Sequence, residues 1–157
     1  MTADRLTVLD ATFLELEQLD QGVLMNIGGV MVFEPRADGV VPEIERVRDH
    51  LAARLGRLPR YSQRLSSART GSWAWPHWTR DERFDIRGHI RHASLPIPGS
   101  DEQLSDWTAD FLSHPLDRAR PLWEMVLLEG LADGRWALGW KTHHCLVDGV
   151  GSWTSWG

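Results

Sequence analysis

Three stretches of the chain carry apolar residues at the three- and four-residue spacing of an amphipathic helix. They are residues 7–17, the segment that follows Pro42 and the segment that follows Ser100. Thr7 and Ser100 are suitable N-cap residues, and Ser100 has a glutamine three positions on, which predicts a capping box. The predicted apolar side of the first helix consists of Leu9, Phe13 and Leu16. That of the second helix consists of Ile44, Val47, Leu51 and Leu55.

Alternating apolar residues predict strands between these helices. Residues 24–33 alternate in this way, and two glycines inside them predict either a bulge or a close approach to the backbone. Residues 84–90 alternate as well. Residues 73–78 are predicted to be an edge strand, because Pro76 has no N–H to donate to a central ladder.

Two further strands, residues 122–131 and 135–144, are predicted to form a hairpin through the turn residues Asp133 and Gly134. The first of them is apolar on both faces, so we expect it to lie centrally in a sheet with helices packed on it. The order of elements contains no repeat and no low-complexity linker. The sequence therefore predicts one α/β domain, residues 1–157, built as a mixed-sheet sandwich.

Composition argues against two classes of protein, those that bind nucleic acids generally and those that span a membrane. The chain is 42% hydrophobic and 25% charged with a net charge of −5, which is typical of a globular protein and argues against general nucleic-acid binding. No apolar run is long enough to span a bilayer, and the only cysteine, Cys145, favours a reducing cytoplasm. We therefore expect a cytoplasmic protein. Its nine tryptophans suit core packing first and a lipid surface second.

The stretch from His143 to Gly149 contains the residues best suited to chemistry. It follows an apolar strand, so its two adjacent histidines are expected where a strand ends and a loop begins. Neighbouring side chains of a strand point to opposite faces, so only one of His143 and His144 can face a given cleft. Asp148 and Gly149 predict a turn that lets the carboxylate fold back toward an imidazole.

The pattern His143-His144-x-x-x-Asp148-Gly149 resembles the HHxxxDG signature of the CoA-dependent acyltransferase superfamily, which includes chloramphenicol acetyltransferase, carnitine acyltransferases and condensation domains of peptide synthetases. Three flanking stretches resemble the bacterial wax ester synthase/diacylglycerol acyltransferase family, in the order that the family has them. They are residues 9–17 (LDATFLELE), 84–92 (FDIRGHIRH) and 115–124 (PLDRARPLWE). The resemblance implies the N-terminal half of the chloramphenicol acetyltransferase-like fold.

The resemblance also implies a reaction. Enzymes of this family transfer a long-chain acyl group from acyl-CoA to diacylglycerol or a long-chain alcohol, without a covalent acyl-enzyme. His144 would be the general base, His143 and Asp148 would hold the loop and the imidazole, and Gly149 would permit the turn. No metal and no cofactor beyond the acyl-CoA substrate is implied, and a peripheral position on a membrane or lipid droplet stays open.

A basic stretch interrupts this acidic chain. Between Arg46 and Arg69 there are seven arginines and one aspartate. The simplest interpretation is a solvated helix face followed by a loop. The alternative is that Arg57, Arg60 and Arg64 contact the phosphates of CoA or an anionic membrane surface.

The residues of the motif also allow three other interpretations. Cys145 could be a nucleophile, but adjacent strand residues point apart, so a buried apolar cysteine is expected. His143, His144 and Asp148 could bind a metal, although no fourth ligand stands at a suitable spacing. The two histidines could also be structural, capping the strand end and bonding to Asp148.

The family's enzymes are several times longer than this chain, and their active site lies between two similar halves. A truncated or frameshifted N-terminal half would explain the difference, and so would a short stand-alone relative. The first explanation predicts an exposed sheet edge and exposed apolar surface. The functional alternative to an acyltransferase is a non-catalytic lipid- or partner-binding module that retains half of the fold.

Overall fold

The computed structural model describes residues 5–20, 22–35, 37–66 and 75–147. The helices are α1 (Val8–Leu19), α2 (Ile44–Leu55) and α3 (Asp101–Ser113). The strands are β1 (Asn26–Phe33), β2 (Gln63–Leu65), β3 (Trp78–Arg80), β4 (Ile90–Ser94), β5 (Trp123–Glu129) and β6 (Trp136–His143). Short 3₁₀ turns occupy Pro59–Ser62, Ile86–Gly88, Ala132–Gly134 and His144–Leu146.

Four strands form the main sheet in the order β1-β6-β5-β4, and β2 pairs with β3 in a small second sheet. The pairs β1·β6 and β5·β6 are antiparallel, whereas β4 and β5 are parallel. The predicted mixed α/β architecture is therefore confirmed. Edge strand β1 leaves Met31 and Val32 exposed, so apolar side chains lie at an edge of the described sheet.

β5 lies inside the sheet, as its two apolar faces predict. Val126, Leu127 and Leu128 are buried on alternating faces of this strand. The connection from β5 to β6 passes through Asp133 and Gly134, which both have positive φ (62° and 73°). The predicted hairpin is confirmed, although its connection is a 3₁₀ turn longer than two residues.

Helices cover both faces of the sheet. On one face α3 packs its Trp107 and Phe111 against Gly139 of β6, where a Cβ atom would lie only 2.7 Å from the Trp107 ring. On the opposite face, Leu55 of α2 belongs to the same buried cluster as Ile90 and as Leu14 of α1. The apolar side predicted for α2 packs against this cluster.

Local capping residues mark where the helices begin. Thr7 caps α1 by accepting the N–H of Asp10, and Ser100 and Gln103 form the complete capping box of α3. Both predictions are confirmed. α2 follows Pro42, as predicted, and begins at Ile44 after an N-cap at Glu43.

The strand predicted over residues 84–90 is wrong in its first part. Asp85 accepts the N–H of Arg87 at 2.9 Å and starts a 3₁₀ turn, so strand β4 begins only at Ile90. A short side chain that bonds to the backbone two residues on competes with strand pairing. Residues 73 and 74 of the predicted edge strand lie outside the described residues, and β3 begins at Trp78.

The predicted apolar side of α1 is not the side that the protein buries. Leu9 and Leu16 are 62% and 40% exposed, whereas Asp10, Ala11 and Leu14 are buried. The N-cap bond explains part of this choice, because the Thr7 hydroxyl also donates to Asp10 Oδ2 at 2.6 Å, so the carboxylate is satisfied when it is buried.

Candidate active site at the end of strand β6

The end of β6 brings both histidines of the motif to the junction of strand and turn, as predicted. His143 is the last residue of β6, and its N–H donates to the Leu122 carbonyl at 2.9 Å. His144 opens the following 3₁₀ turn, and its N–H donates to the Met25 carbonyl at 2.8 Å. Two hydrogen bonds to neighbouring segments therefore fix the backbone on either side of the junction.

The His144 side chain is half-buried and remains accessible. Phe13 of α1 packs on it, with the ring centroids 4.2 Å apart and the planes at 42°. Leu9 and Leu16 lie one helical turn on either side of Phe13, and both are exposed. An open apolar helix side therefore adjoins the one histidine of the pair that retains access to solvent.

His143 is buried, with 1% of its surface exposed. Its Nδ1 accepts the backbone N–H of Cys145 at 3.1 Å, which caps the 3₁₀ turn. Burial lowers the pKa of His143, and the nearby Glu17 carboxylate only partly opposes this shift. Burial and the bond accepted by Nδ1 both favour the neutral ring, which caps the turn.

Glu17 lies beside His143 at this site, although it is not among the predicted site residues. Its side chain is only 11% exposed, and its Oε1 accepts the Met25 N–H at 2.7 Å. Its Oε2 accepts a hydrogen bond from Arg118 at 2.7 Å, and its Oε1 lies 3.4 Å from His143 Nε2. Burial raises the pKa of Glu17, but the bonds from Arg118 and Met25 outweigh it, so the pKa of the carboxyl is lowered overall.

A signal for Glu17 was present in the helix pattern. Residues 10, 14 and 17 lie on one side of α1 at the four- and three-residue spacing, and that side is buried. A charged residue on a buried side requires a partner. The sequence analysis does not identify Glu17, because it predicts that the more apolar side of this helix is the buried one.

Cys145 is buried, as predicted, and is 4% exposed. Burial raises the pKa of its thiol to about 12, so the thiolate needed for nucleophilic attack is scarce at neutral pH. Its sulfur lies 2.9 Å from His143 Nδ1, and the ring nitrogen is already engaged with the Cys145 N–H. The arrangement does not suit a cysteine nucleophile.

The remaining predicted site residues are placed as follows. Asp148 and Gly149 lie outside the described residues. Arg57 is exposed in the turn after α2, Arg60 sets its guanidinium 4.8 Å from the centre of the Trp78 ring, and Arg64 is half-buried in β2. Within the described parts of the chain, no three His, Cys, Asp or Glu side chains are grouped as metal ligands.

A cavity of about 450 Å³ lies between α3 and the β4 side of the sheet. Lys141 borders it, and this buried ammonium donates to the carbonyls of Phe111 and His114 at 2.9 and 3.0 Å. The same ammonium lies 3.4 Å from Glu124 Oε2. His144 does not line this cavity, so it is separate from the candidate site.

Comparison with known sequences gives matches to a single family. The family described as "Wax ester synthase/diacylglycerol acyltransferase catalytic domain" matches residues 6–155. A protein of Mycobacterium tuberculosis named as a probable diacylglycerol O-acyltransferase, tgs1, is 42% identical over 147 residues, which cover 94% of this chain and 31% of that protein. Another one from the same organism, tgs3, is 40% identical over 93% of this chain and 52% of its own length.

Solved structures give the same result for the fold. The wax ester synthase/diacylglycerol acyltransferase of Marinobacter aquaeolei VT8 matches with a TM-score of 0.70 and 35% identity, over 93% of this chain and 35% of its own. The starter condensation domain of rhizomide synthetase matches with a TM-score of 0.71 at 16% identity, over 95% of this chain and 34% of its own, which is a likeness of fold alone. This chain thus spans about a third to a half of the length of these relatives.

Proposed function

Because this chain belongs to the wax ester synthase/diacylglycerol acyltransferase family, we propose that it takes part in transferring a long-chain acyl group from acyl-CoA to a lipid hydroxyl. The acceptor is diacylglycerol or a long-chain alcohol, and the product is triacylglycerol or a wax ester. The relatives named above are diacylglycerol O-acyltransferases and a wax ester synthase, and they support this assignment. The acyl-CoA thioester is the only activated group that the reaction requires.

In the proposed step, His144 is the general base. Its imidazole takes the proton of the acceptor hydroxyl while the hydroxyl oxygen forms a bond to the thioester carbonyl carbon. The tetrahedral intermediate then breaks its carbon–sulfur bond. CoA leaves as the thiol after receiving the proton back from the imidazolium, so the base is regenerated and an ester is released.

One observation carries the assignment of the base to His144 rather than His143. The His144 ring is half-buried against Phe13, whose helix neighbours Leu9 and Leu16 are exposed, whereas His143 is 1% exposed. A general base must reach the proton that it removes, and a lipid substrate requires an apolar surface beside it. Of the two histidines, only His144 meets both requirements.

The assay uses the purified chain with labelled palmitoyl-CoA and either dioleoylglycerol or hexadecanol. We expect ester formation that the substitution His144→Ala reduces by about two to four orders of magnitude, as loss of a general base does. The matched control is His92→Ala, because His92 is exposed on β4 and pairs with the surface carboxylate of Glu129. This control should keep the activity of the parent chain.

Two results would contradict the proposal. If the His144→Ala protein unfolds at the same denaturant concentration as the parent yet makes ester at the same rate, then His144 is not the base. If the parent chain binds acyl-CoA but releases no CoA with either acceptor, then this chain binds the donor without completing the reaction.

The basic residues Arg57, Arg60 and Arg64 are proposed to contact an anionic partner, either the CoA phosphates or a membrane or lipid-droplet surface. No helix among the described segments combines the length and the apolar character needed to cross a membrane. Charge reversal of the three arginines should weaken acyl-CoA binding in the first case and sedimentation with phosphatidylglycerol vesicles in the second. If neither changes, then these arginines are a solvated face, and Arg60 serves the packing of Trp78.

A further inference from the structure

Glu17 joins four segments of the chain that are distant in sequence. It lies in the last turn of α1, and its two carboxylate oxygens contact Met25, Arg118 and His143 at 2.7, 2.7 and 3.4 Å. Arg118 makes a further bond from the same nitrogen to the Leu14 carbonyl at 3.0 Å. The carboxylate therefore holds α1, the entry to β1, the loop before β5 and the end of β6 together.

The contacts of His143 determine which ring nitrogen carries its proton. Nδ1 accepts the backbone N–H of Cys145, so in the neutral ring the proton resides on Nε2. Nε2 is buried and has no hydrogen-bond partner in the described structure, and the Glu17 Oε1 atom lies 3.4 Å away from it. A negative charge this close to Nε2 favours the tautomer that carries its proton on Nε2 over the alternative.

The charge of Glu17 is compensated by Arg118 rather than by the imidazole. The Arg118 bond at 2.7 Å has the length of a charge-assisted hydrogen bond. A buried carboxylate with such a partner stays ionised at neutral pH. Glu17 thus faces the neutral ring of His143 as a fixed negative charge.

We propose that Glu17 and Arg118 are a positioning pair, which holds His143 as its Nε2–H tautomer and thereby fixes the backbone of His144. This inference rests on the proposed function of His144 as the base. The pair acts along two routes. Through His143 it maintains the cap of the turn that begins at His144, and through Met25 it fixes the carbonyl that accepts the His144 N–H.

The first test needs no variant and no activity. In protein labelled with ¹⁵N-histidine, long-range ¹H–¹⁵N spectra distinguish a protonated ring nitrogen from an unprotonated one. At about pH 7 we expect His143 to show an unprotonated Nδ1 and a protonated Nε2. The opposite tautomer, or a cationic ring, would overturn the inference.

The second test removes the charge of the pair. Glu17→Gln should mix the two tautomers of His143 and lower kcat by about ten- to a hundredfold, with little change in the KM for acyl-CoA. Arg118→Lys retains the positive charge and should recover most of the loss that Arg118→Gln causes. The matched control is Glu45→Gln, which removes a surface carboxylate paired with Arg48 and Arg87 and should change neither readout.

The outcomes distinguish a failure of the positioning inference from a failure of the proposed function. If the parent chain makes no ester but the spectra show the expected tautomer and its loss in Glu17→Gln, then the function fails and the geometry stands. If Glu17→Gln loses the tautomer but keeps kcat, then the pair does not position His144. If Glu17→Gln does not fold, then the tautomer in the parent spectrum and the activity of the Arg118→Lys variant still test the inference.

Discussion

The ring of Phe13 covers one side of the His144 imidazole, with the two centroids 4.2 Å apart. Phe13 lies on α1, whereas His144 follows β6, so a helix from the start of the chain restrains the proposed base. The neighbours of Phe13 on the helix, Leu9 and Leu16, are exposed, and the His144 side chain is itself only half-buried. Mutation of Phe13 can therefore measure how much this helix contributes to the proposed reaction.

The first prediction concerns this contact. Phe13→Ala removes the ring on which the His144 imidazole packs, so we expect a lower kcat and a loss of about 1–3 kcal/mol in the free energy of unfolding. Esterification assays and urea unfolding measure the two effects. Leu19→Ala, on the same helix and 84% exposed, should leave both unchanged. An unaltered kcat in Phe13→Ala would show that the contact serves packing alone.

Much of this site follows from local sequence signals. The capping box at Ser100 depends on two residues three positions apart, and the strand end at His143 depends on an apolar run followed by polar residues. Such signals need no knowledge of distant segments. They explain why α3 and β6 agree with prediction.

The part that could not be predicted depends on contacts between distant segments. Which side of α1 is buried was decided by the satisfaction of Asp10 through Thr7 and of Glu17 through Arg118, rather than by apolar content alone. The partners Glu17 and Arg118 are separated by 101 positions in sequence. No local pattern predicts such a pair, because its energy comes from tertiary burial.

The second prediction concerns the two adjacent glycines of β1. A Cβ atom at Gly28 would overlap the Trp140 carbonyl oxygen and would lie 2.7 Å from Leu112 of α3, whereas at Gly29 the closest atom is 3.9 Å away. We therefore expect Gly28→Ala to destabilise the protein by about 1–3 kcal/mol. Gly29→Ala should be neutral or slightly stabilising, because alanine loses less backbone entropy on folding. Equal unfolding free energies for the two variants would contradict the close packing.

The third prediction concerns the reactivity of Cys145. Its thiol has a pKa of about 12 because it is buried. At about pH 8 only about one molecule in ten thousand carries the thiolate, so the folded protein should react with iodoacetamide far more slowly than a free thiol. Mass spectrometry of the alkylated protein measures the rate. Reaction should become fast in concentrated urea, and rapid labelling of the folded protein would contradict the buried position.

The fourth prediction concerns the pH dependence of stability. His89 is 4% exposed, and its ring is stacked on the Trp123 ring. Its Nδ1 lies 2.8 Å from the Trp123 carbonyl oxygen. Burial is the main cause of the lowered pKa of His89. The unfolded chain therefore takes up a proton first as the pH falls below about 6.5, and protonation stabilises the unfolded state relative to the folded one. The free energy of unfolding should thus fall as the pH is lowered from about 7.5 to 5.5, and His89→Gln should make this fall smaller. Chemical denaturation at a series of pH values gives the slopes, and a parent protein whose stability does not change over this range would refute the buried neutral imidazole.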